Sequence, residues 1–129
     1  AVKVTVDSGI LFDCNKTALK SDAKTALAKF ATVLVENPTM DIAVYGHTDN
    51  VGTLAANQKV SLGRASKVAD YLVAQGATRT QMKVVEGRDY SMPVASNETA
   101  EGRAQNRRVE VYMYASEKMI QDAQNEATN

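Results

Sequence analysis

The sequence has few of the residues on which several classes of protein depend. It contains one cysteine and one histidine among 129 residues, so neither an internal disulfide nor the usual zinc site of three or more His and Cys ligands can form. No apolar run approaches the roughly 20 residues of a membrane-spanning helix. Basic and acidic residues number 15 each, so the chain lacks the excess positive charge that usually accompanies nucleic-acid binding. We therefore predict a neutral domain without metal, cofactor or nucleic-acid partner.

The composition is sufficient for one folded domain. Apolar residues make up 44% of the chain and only two prolines interrupt it. We place the domain at residues 1–115 and expect a polar tail or short helix at 116–129. Because the chain begins at Ala1 without a methionine, we expect a lipid anchor, barrel or targeting signal to lie upstream. Contact with a membrane is then expected only through that missing segment.

Hydrophobic periodicity predicts alternating strands and helices. The predicted strands lie at about 2–6, 40–45, 82–86 and 109–114. One helix runs from a cap at Ser21 or Asp22 to a stop at Asn37-Pro38, and a second spans about 54–75. Residues 87–102 are polar and rich in turn formers. The βαβαβ-β order predicts an α/β two-layer sandwich, with a mixed four-stranded sheet and two main helices on one face.

Polar residues gather where the second strand ends and the second helix begins. Asp49 follows the strand, and Asn57, Ser61 and Arg64 share one helix face by their spacing. Asp13 ends the first strand, and ligands of open α/β sheets bind beyond such ends. Arginine binds a carboxylate through two parallel hydrogen bonds, while aspartate binds an ammonium. The pattern suits a zwitterion, although a loop aspartate is also a common cap and a helix arginine a common surface charge.

Three longer motifs resemble those of OmpA-like domains. Residues 46–52 read GHTDNVG, residues 57–65 read NQKVSLGRA, and residues 101–111 read EGRAQNRRVEV. The resemblance runs from about Val4 to Tyr114, and residues 100–108 are most similar to lipoprotein-type members. It implies a non-catalytic periplasmic domain that holds the outer membrane to peptidoglycan. The implied ligand is meso-diaminopimelate of the peptide stem.

The resemblance also implies roles for individual residues. Asp49 and Arg64 would clasp the free amino-acid end of diaminopimelate, as ammonium partner and carboxylate clamp. Leu62 would pack behind the site. The other implied contacts are Asp13, Thr48, Asn57 and Arg108.

Two other functions remain open at this point. Asp13 and Asp49 are candidates for the acid–base pair of a hydrolase that acts on wall material, and an exposed sheet edge can serve oligomerisation. The loop lacks a nucleophile with an adjacent base, which favours binding over catalysis. His47 is predicted to orient the loop. Arg107 and Arg108 are predicted to point to opposite faces of a strand, one pairing with a carboxylate and the other lining the crevice.

Overall fold

The computed structural model describes residues 2–7, 19–115 and 124. In chain order its elements are β1 (Val2–Asp7), α1 (Ser21–Glu36), β2 (Met40–His47), α2 (Leu54–Ala74), β3 (Met82–Gly87), α3 (Ala100–Asn106) and β4 (Arg108–Ala115). A single 3-10 turn, Arg79–Gln81, precedes β3. Asp13, Cys14 and the predicted tail at 116–129, apart from residue 124, lie outside the described residues. None of the described helices is long and apolar enough to cross a lipid bilayer.

The four strands form one mixed sheet in the order β1-β4-β2-β3. Strands β2 and β3 run parallel because helix α2 connects them as a crossover. Strand β4 runs antiparallel to both β1 and β2 and lies between them. The predicted mixed four-stranded sheet is therefore confirmed. Strand β4, the last strand in the sequence, occupies a central position in the sheet.

Helices α1 and α2 pack on one face of the sheet, as predicted. The core is formed by side chains that alternate along the strands and recur at helical spacing in α1 and α2. Its buried members are Leu27, Ala31, Leu34, Ile42, Val44, Ala65, Val68, Ala69, Leu72, Ala77, Val109, Val111 and Met113. Gln81 links the end of α1 to the start of β2, because its side-chain amide donates to the carbonyls of Leu34, Asn37 and Met40.

The structure differs from the predicted elements in two places. A third helix, α3, lies at the end of the segment predicted as polar turns. Thr99 caps it by accepting a hydrogen bond from the Gly102 nitrogen at 2.9 Å. With seven residues, α3 is too short to show a hydrophobic period. At the start of α1 the cap residue is Lys20, so Ser21 is already helical rather than capping.

Two glycines allow α2 to lie close to the ends of β2 and β3. A Cβ atom on Gly46 would lie 2.1 Å from the Ser61 carbonyl oxygen, and one on Gly87 would lie 2.3 Å from the Leu62 nitrogen. Gln58 Nε2 donates to the Gly87 oxygen at 3.0 Å across the same contact. The loops that follow both strands are therefore held against the first turns of α2, where the predicted site residues lie.

Candidate ligand-binding site

The loop between β2 and α2 is fixed by its own polar side chains. Asp49 Oδ1 accepts a hydrogen bond from the Val51 nitrogen at 3.0 Å, which is an Asx turn. Asn57 Nδ2 donates to the carbonyls of Val51 and Thr53 at 2.9 and 3.0 Å. Thr53 caps α2 by accepting from the Ala56 nitrogen. The carboxylate of Asp49 is thus oriented before any ligand arrives.

The polar residues predicted for the site are largely shielded from solvent. Thr48, Asp49, Asn57 and Arg64 are 5%, 8%, 8% and 5% exposed, although such residues usually lie at the surface. Asn57, Ser61 and Arg64 do share the buried face of α2, as their spacing predicted. Together they bring a carboxylate, an amide, hydroxyls and a guanidinium to this part of the fold.

Asp89 connects the loop to the helix. Its nitrogen donates to Ser61 Oγ at 3.1 Å, and its oxygen accepts from the Thr48 nitrogen at 2.8 Å. It adopts a positive φ of 45°, a conformation that aspartate tolerates better than most residues. The sequence indicated a turn here but gave no sign that its backbone would bridge Thr48 and Ser61.

Leu62 lies on the exposed side of α2, and its implied position behind the site stays a prediction. Its side chain is 43% exposed, because one step along the helix from Ser61 rotates it away from the sheet. The buried stripe of α2 contains Ser61 and Arg64 in its place. The spacing predicted that these two polar residues share one face, and the structure shows that this face is the buried one.

Arg107 provides the contact that the sequence left unassigned. Its Nη1 atom donates to Asp49 Oδ2 at 2.6 Å. The side chain of Arg107 is 42% exposed, whereas that of Asp49 is 11% exposed. Arg107 lies between α3 and β4 rather than on the strand. One of the two arginines was predicted to meet a carboxylate from a shared strand. In the structure both do, Arg107 that of Asp49 and Arg108 that of Glu110, and only Arg108 lies on β4.

Arg108 points elsewhere and is 4% exposed. Its terminal nitrogens donate to the carbonyls of Asn106 and Met92 at 3.1 and 2.9 Å. Its Nε atom lies 3.5 Å from Glu110 Oε2. These contacts hold the segment after β3 against β4. A direct contact between Arg108 and a ligand stays a prediction.

His47 and Glu110 form a buried polar pair next to Arg108. His47 Nε2 lies 2.6 Å from Glu110 Oε1, and Lys3 Nζ lies 2.8 Å from Glu110 Oε2. Burial raises the pKa of Glu110, but the Lys3 hydrogen bond and the Arg108 charge outweigh it, so the net pKa is lowered. Burial, followed by the charge of Arg108, lowers the pKa of His47. At neutral pH the pair is therefore an uncharged imidazole beside a carboxylate.

We expect the free energy of unfolding to fall as the pH drops below about 6.5, because of His47. Because the pKa of His47 is lowered in the folded chain, the imidazole binds a proton in the unfolded chain at a pH at which it stays neutral in the folded one. Stability then declines by up to about 1.4 kcal/mol per pH unit. Glu110 adds a further loss at more acidic pH, because its stabilising contribution disappears as the pH falls through its lowered pKa.

His47 is the only histidine, which allows a direct check. Urea unfolding of a His47→Gln variant should show a flatter dependence than the unchanged protein between about pH 7 and 5.5. The same slope in both proteins would contradict this assignment.

Asn106 holds the segment that precedes α3. Its Oδ1 accepts from the nitrogens of Val94 and Ala95 at 2.8 and 2.9 Å, and its Nδ2 donates to Ala95 O and Asn97 Oδ1. It is completely buried. We expect Asn106→Ala to lower the free energy of unfolding by about 2 kcal/mol, since several partners lose their hydrogen bond. Asn97→Ala, which removes one of these bonds, should cost less in the same denaturation experiment; an equal cost would argue against this role.

The arrangement is suited to binding a charged group. Asp49 contributes an oriented carboxylate and Arg64 a guanidinium, each with little access to solvent. Within the part of the chain that the structure describes, no group of three or more His, Cys, Asp and Glu side chains could hold a metal ion. Asp49 and Arg64 can form ion pairs and hydrogen bonds with a charged ligand group.

Comparison with known proteins extends across nearly the whole chain. Residues 11–107 match the model of the OmpA family. Outer membrane protein A of Bordetella avium is 39% identical over 118 residues, which is 92% of this chain and 60% of that protein. Among solved structures, the cell wall anchor of the T6SS from Pseudomonas aeruginosa superposes with a TM-score of 0.76 at 35% identity, covering 89% of this chain and 81% of that one.

A second solved structure adds a lipoprotein. The peptidoglycan-associated lipoprotein from Burkholderia pseudomallei gives a TM-score of 0.73 at 28% identity, covering 81% of this chain and 87% of that one. The chain spans less than two thirds of the length of the Bordetella protein. Asp49, Arg64 and Asn106 lie within the matched range, and the chain belongs to the OmpA family.

Proposed function

We propose that this domain binds peptidoglycan non-covalently, through the free amino-acid end of meso-diaminopimelate in the peptide stem. The observation that carries the proposal is the pair of shielded opposite charges, Asp49 on the loop and Arg64 on the buried face of α2. Arg64 would take the ligand carboxylate with its two-pronged donor geometry, and Asp49 would take the ammonium. Thr48, Asn57 and Asp13 are proposed to add hydrogen bonds.

Membership of the OmpA family supports this function. A cell wall anchor and a peptidoglycan-associated lipoprotein share the fold at 35% and 28% identity. We accordingly propose a periplasmic location. We also propose that the domain anchors to the wall an outer-membrane component attached through a segment upstream of Ala1.

The same site is less suited to hydrolysis. Both carboxylate oxygens of Asp49 already accept hydrogen bonds, from the Val51 nitrogen and from Arg107. Such a group is an acceptor of fixed orientation, whereas a general acid must release a proton to the leaving group. Incubation with purified sacculi checks this point: we expect no release of soluble fragments, and release that Asp49→Asn abolishes would establish a hydrolase instead.

Calorimetric titration with small molecules tests the ligand. Meso-diaminopimelate should bind. Two control molecules each keep one of its charges: pimelate has the carboxylates without the ammonium groups, and cadaverine has the ammonium groups without the carboxylates. We expect neither control to bind measurably, because each offers only one of the two opposite charges that the site is proposed to recognise. Equal binding of a control, or no binding of meso-diaminopimelate or a diaminopimelate stem peptide, would contradict the proposal.

A further inference from the structure

We propose that Arg107 determines the specificity of the site, by making it accept an ammonium only from a ligand that brings a carboxylate on the same carbon. This inference rests on the proposed function, because it concerns how Asp49 meets the ligand. In the structure, Asp49 already has a cationic partner at 2.6 Å.

The contact between Arg107 and Asp49 balances charge and is not needed for orientation. The Val51 nitrogen fixes Asp49 Oδ1 from within the loop, so the carboxylate keeps its direction without Arg107. Arg107 reaches Oδ2 from a distant part of the chain, with a side chain that is 42% exposed. Replacing it therefore changes the charge around Asp49 while the loop keeps its own hydrogen bonds.

An incoming ammonium meets an aspartate whose charge is already neutralised. A simple amine would place a second cation beside Asp49 and Arg107, leaving one uncompensated positive charge where the carboxylate is 11% exposed. Water reaches the Arg107 side of this pair, but it screens the charge less on the side of the Asp49 carboxylate. A zwitterion adds an anion together with the cation, so the total charge of the group does not change. Arg107 thus lowers the affinity of the site for simple amines but not its affinity for amino-acid head groups.

Peptide stems of peptidoglycan occur in two forms that differ by this carboxylate. A stem with meso-diaminopimelate at the third position ends its side chain in an ammonium and a carboxylate on one carbon. A stem with lysine there has the same ammonium without the carboxylate. The inference predicts that Arg107 contributes to the rejection of lysine-type stems.

The experiment compares two stem pentapeptides that differ only in this residue. Their affinities are measured by calorimetry, directly and by displacement, for the unchanged domain, Arg107→Gln and Arg107→Lys. Arg107→Gln should raise affinity for the lysine peptide and narrow the preference for the diaminopimelate peptide by about tenfold. Arg107→Lys keeps the charge and should retain the preference. Arg79→Gln, which breaks the exposed pair with Asp70, serves as the control.

The possible results separate the two proposals. If the unchanged domain binds the diaminopimelate peptide and Arg107→Gln leaves the preference as it was, the role of Arg107 is overturned while the proposed function stands. The same holds if Arg107→Gln weakens both peptides equally. If the unchanged domain binds neither peptide, the proposed function itself fails, and the inference fails with it. Thermal unfolding of each variant confirms that the folded proteins are being compared.

Discussion

Replacing Arg64 with methionine is expected to weaken binding of meso-diaminopimelate by roughly a hundredfold, or about 3 kcal/mol. Methionine retains much of the apolar stem, so the loss reports on the guanidinium rather than on packing. With Arg64 removed, the ligand carboxylate would enter a largely dehydrated region without its counter-charge. Calorimetric titration measures the change. Arg64→Lys should recover only part of the affinity, because lysine lacks the planar fork.

Asp49→Asn is the complementary variant and should lose affinity to a similar extent. Asparagine keeps an oxygen that can accept from the Val51 nitrogen, so the loop retains its turn while the negative charge disappears. The exposed pair of Asp70 and Arg79, with side chains 53% and 61% exposed, offers matched controls. Asp70 lies about 24 Å along the helix axis from the start of α2. Asp70→Asn and Arg79→Met should leave binding unchanged.

A specific result would exclude this account of the site. If Arg64→Met and Asp49→Asn fold normally and bind meso-diaminopimelate as tightly as the unchanged domain, the two charges do not hold the ligand. Loss of affinity in the Asp70 and Arg79 controls would point to a general effect of charge.

Gly46→Ala is expected to lower the free energy of unfolding by roughly 3 kcal/mol. The new Cβ atom would lie 2.1 Å from the Ser61 oxygen and 2.9 Å from the Ser61 carbonyl carbon. Both are backbone atoms, so no side-chain rotation can relieve the clash. Helix α2 would have to move away from β2, and Ser61 and Arg64 would move with it. Ligand affinity should therefore fall as well.

Gly63→Ala provides the matched control for this substitution. Gly63 lies within α2, where alanine is a better helix former than glycine by about 1 kcal/mol. The same chemical change should thus be neutral or stabilising at Gly63 and strongly destabilising at Gly46. Urea denaturation followed by circular dichroism measures both. A Gly46→Ala protein with an unchanged denaturation midpoint would show that the close approach of helix and strand is not required.

Most of the layered fold could be predicted because it depends on local periodicity. The strands 40–45 and 82–86 and the helix 54–75 were predicted to within two residues of their observed ends. The crossover rule then gave the parallel pairing of β2 and β3. Helix α3 was missed, because its seven residues, about two turns, are specified by contacts rather than by a pattern. Gly102, for example, packs against the Ser96 carbonyl.

The candidate site was predictable only in part, for a similar reason. Asp49, Asn57 and Arg64 carry motif spacing that can be read along the chain, and the structure adds that all three are shielded from solvent. Leu62 is exposed on α2, because apolarity alone does not give the rotation of a helix against its sheet, and its position behind the site stays a proposal. Asp13 lies outside the described residues, so its role stays a proposal.

By itself the sequence determined the kind of domain, its alternating elements and the residues proposed to hold a zwitterion, since periodicity and motif spacing act between near neighbours. Only the tertiary structure decided that Arg107 rather than Arg108 meets Asp49, 58 positions away in the chain. The same holds for the burial of His47 against Glu110. Both depend on the register of β4 between β1 and β2, and a shift of one residue would exchange the faces of the sheet that its side chains occupy.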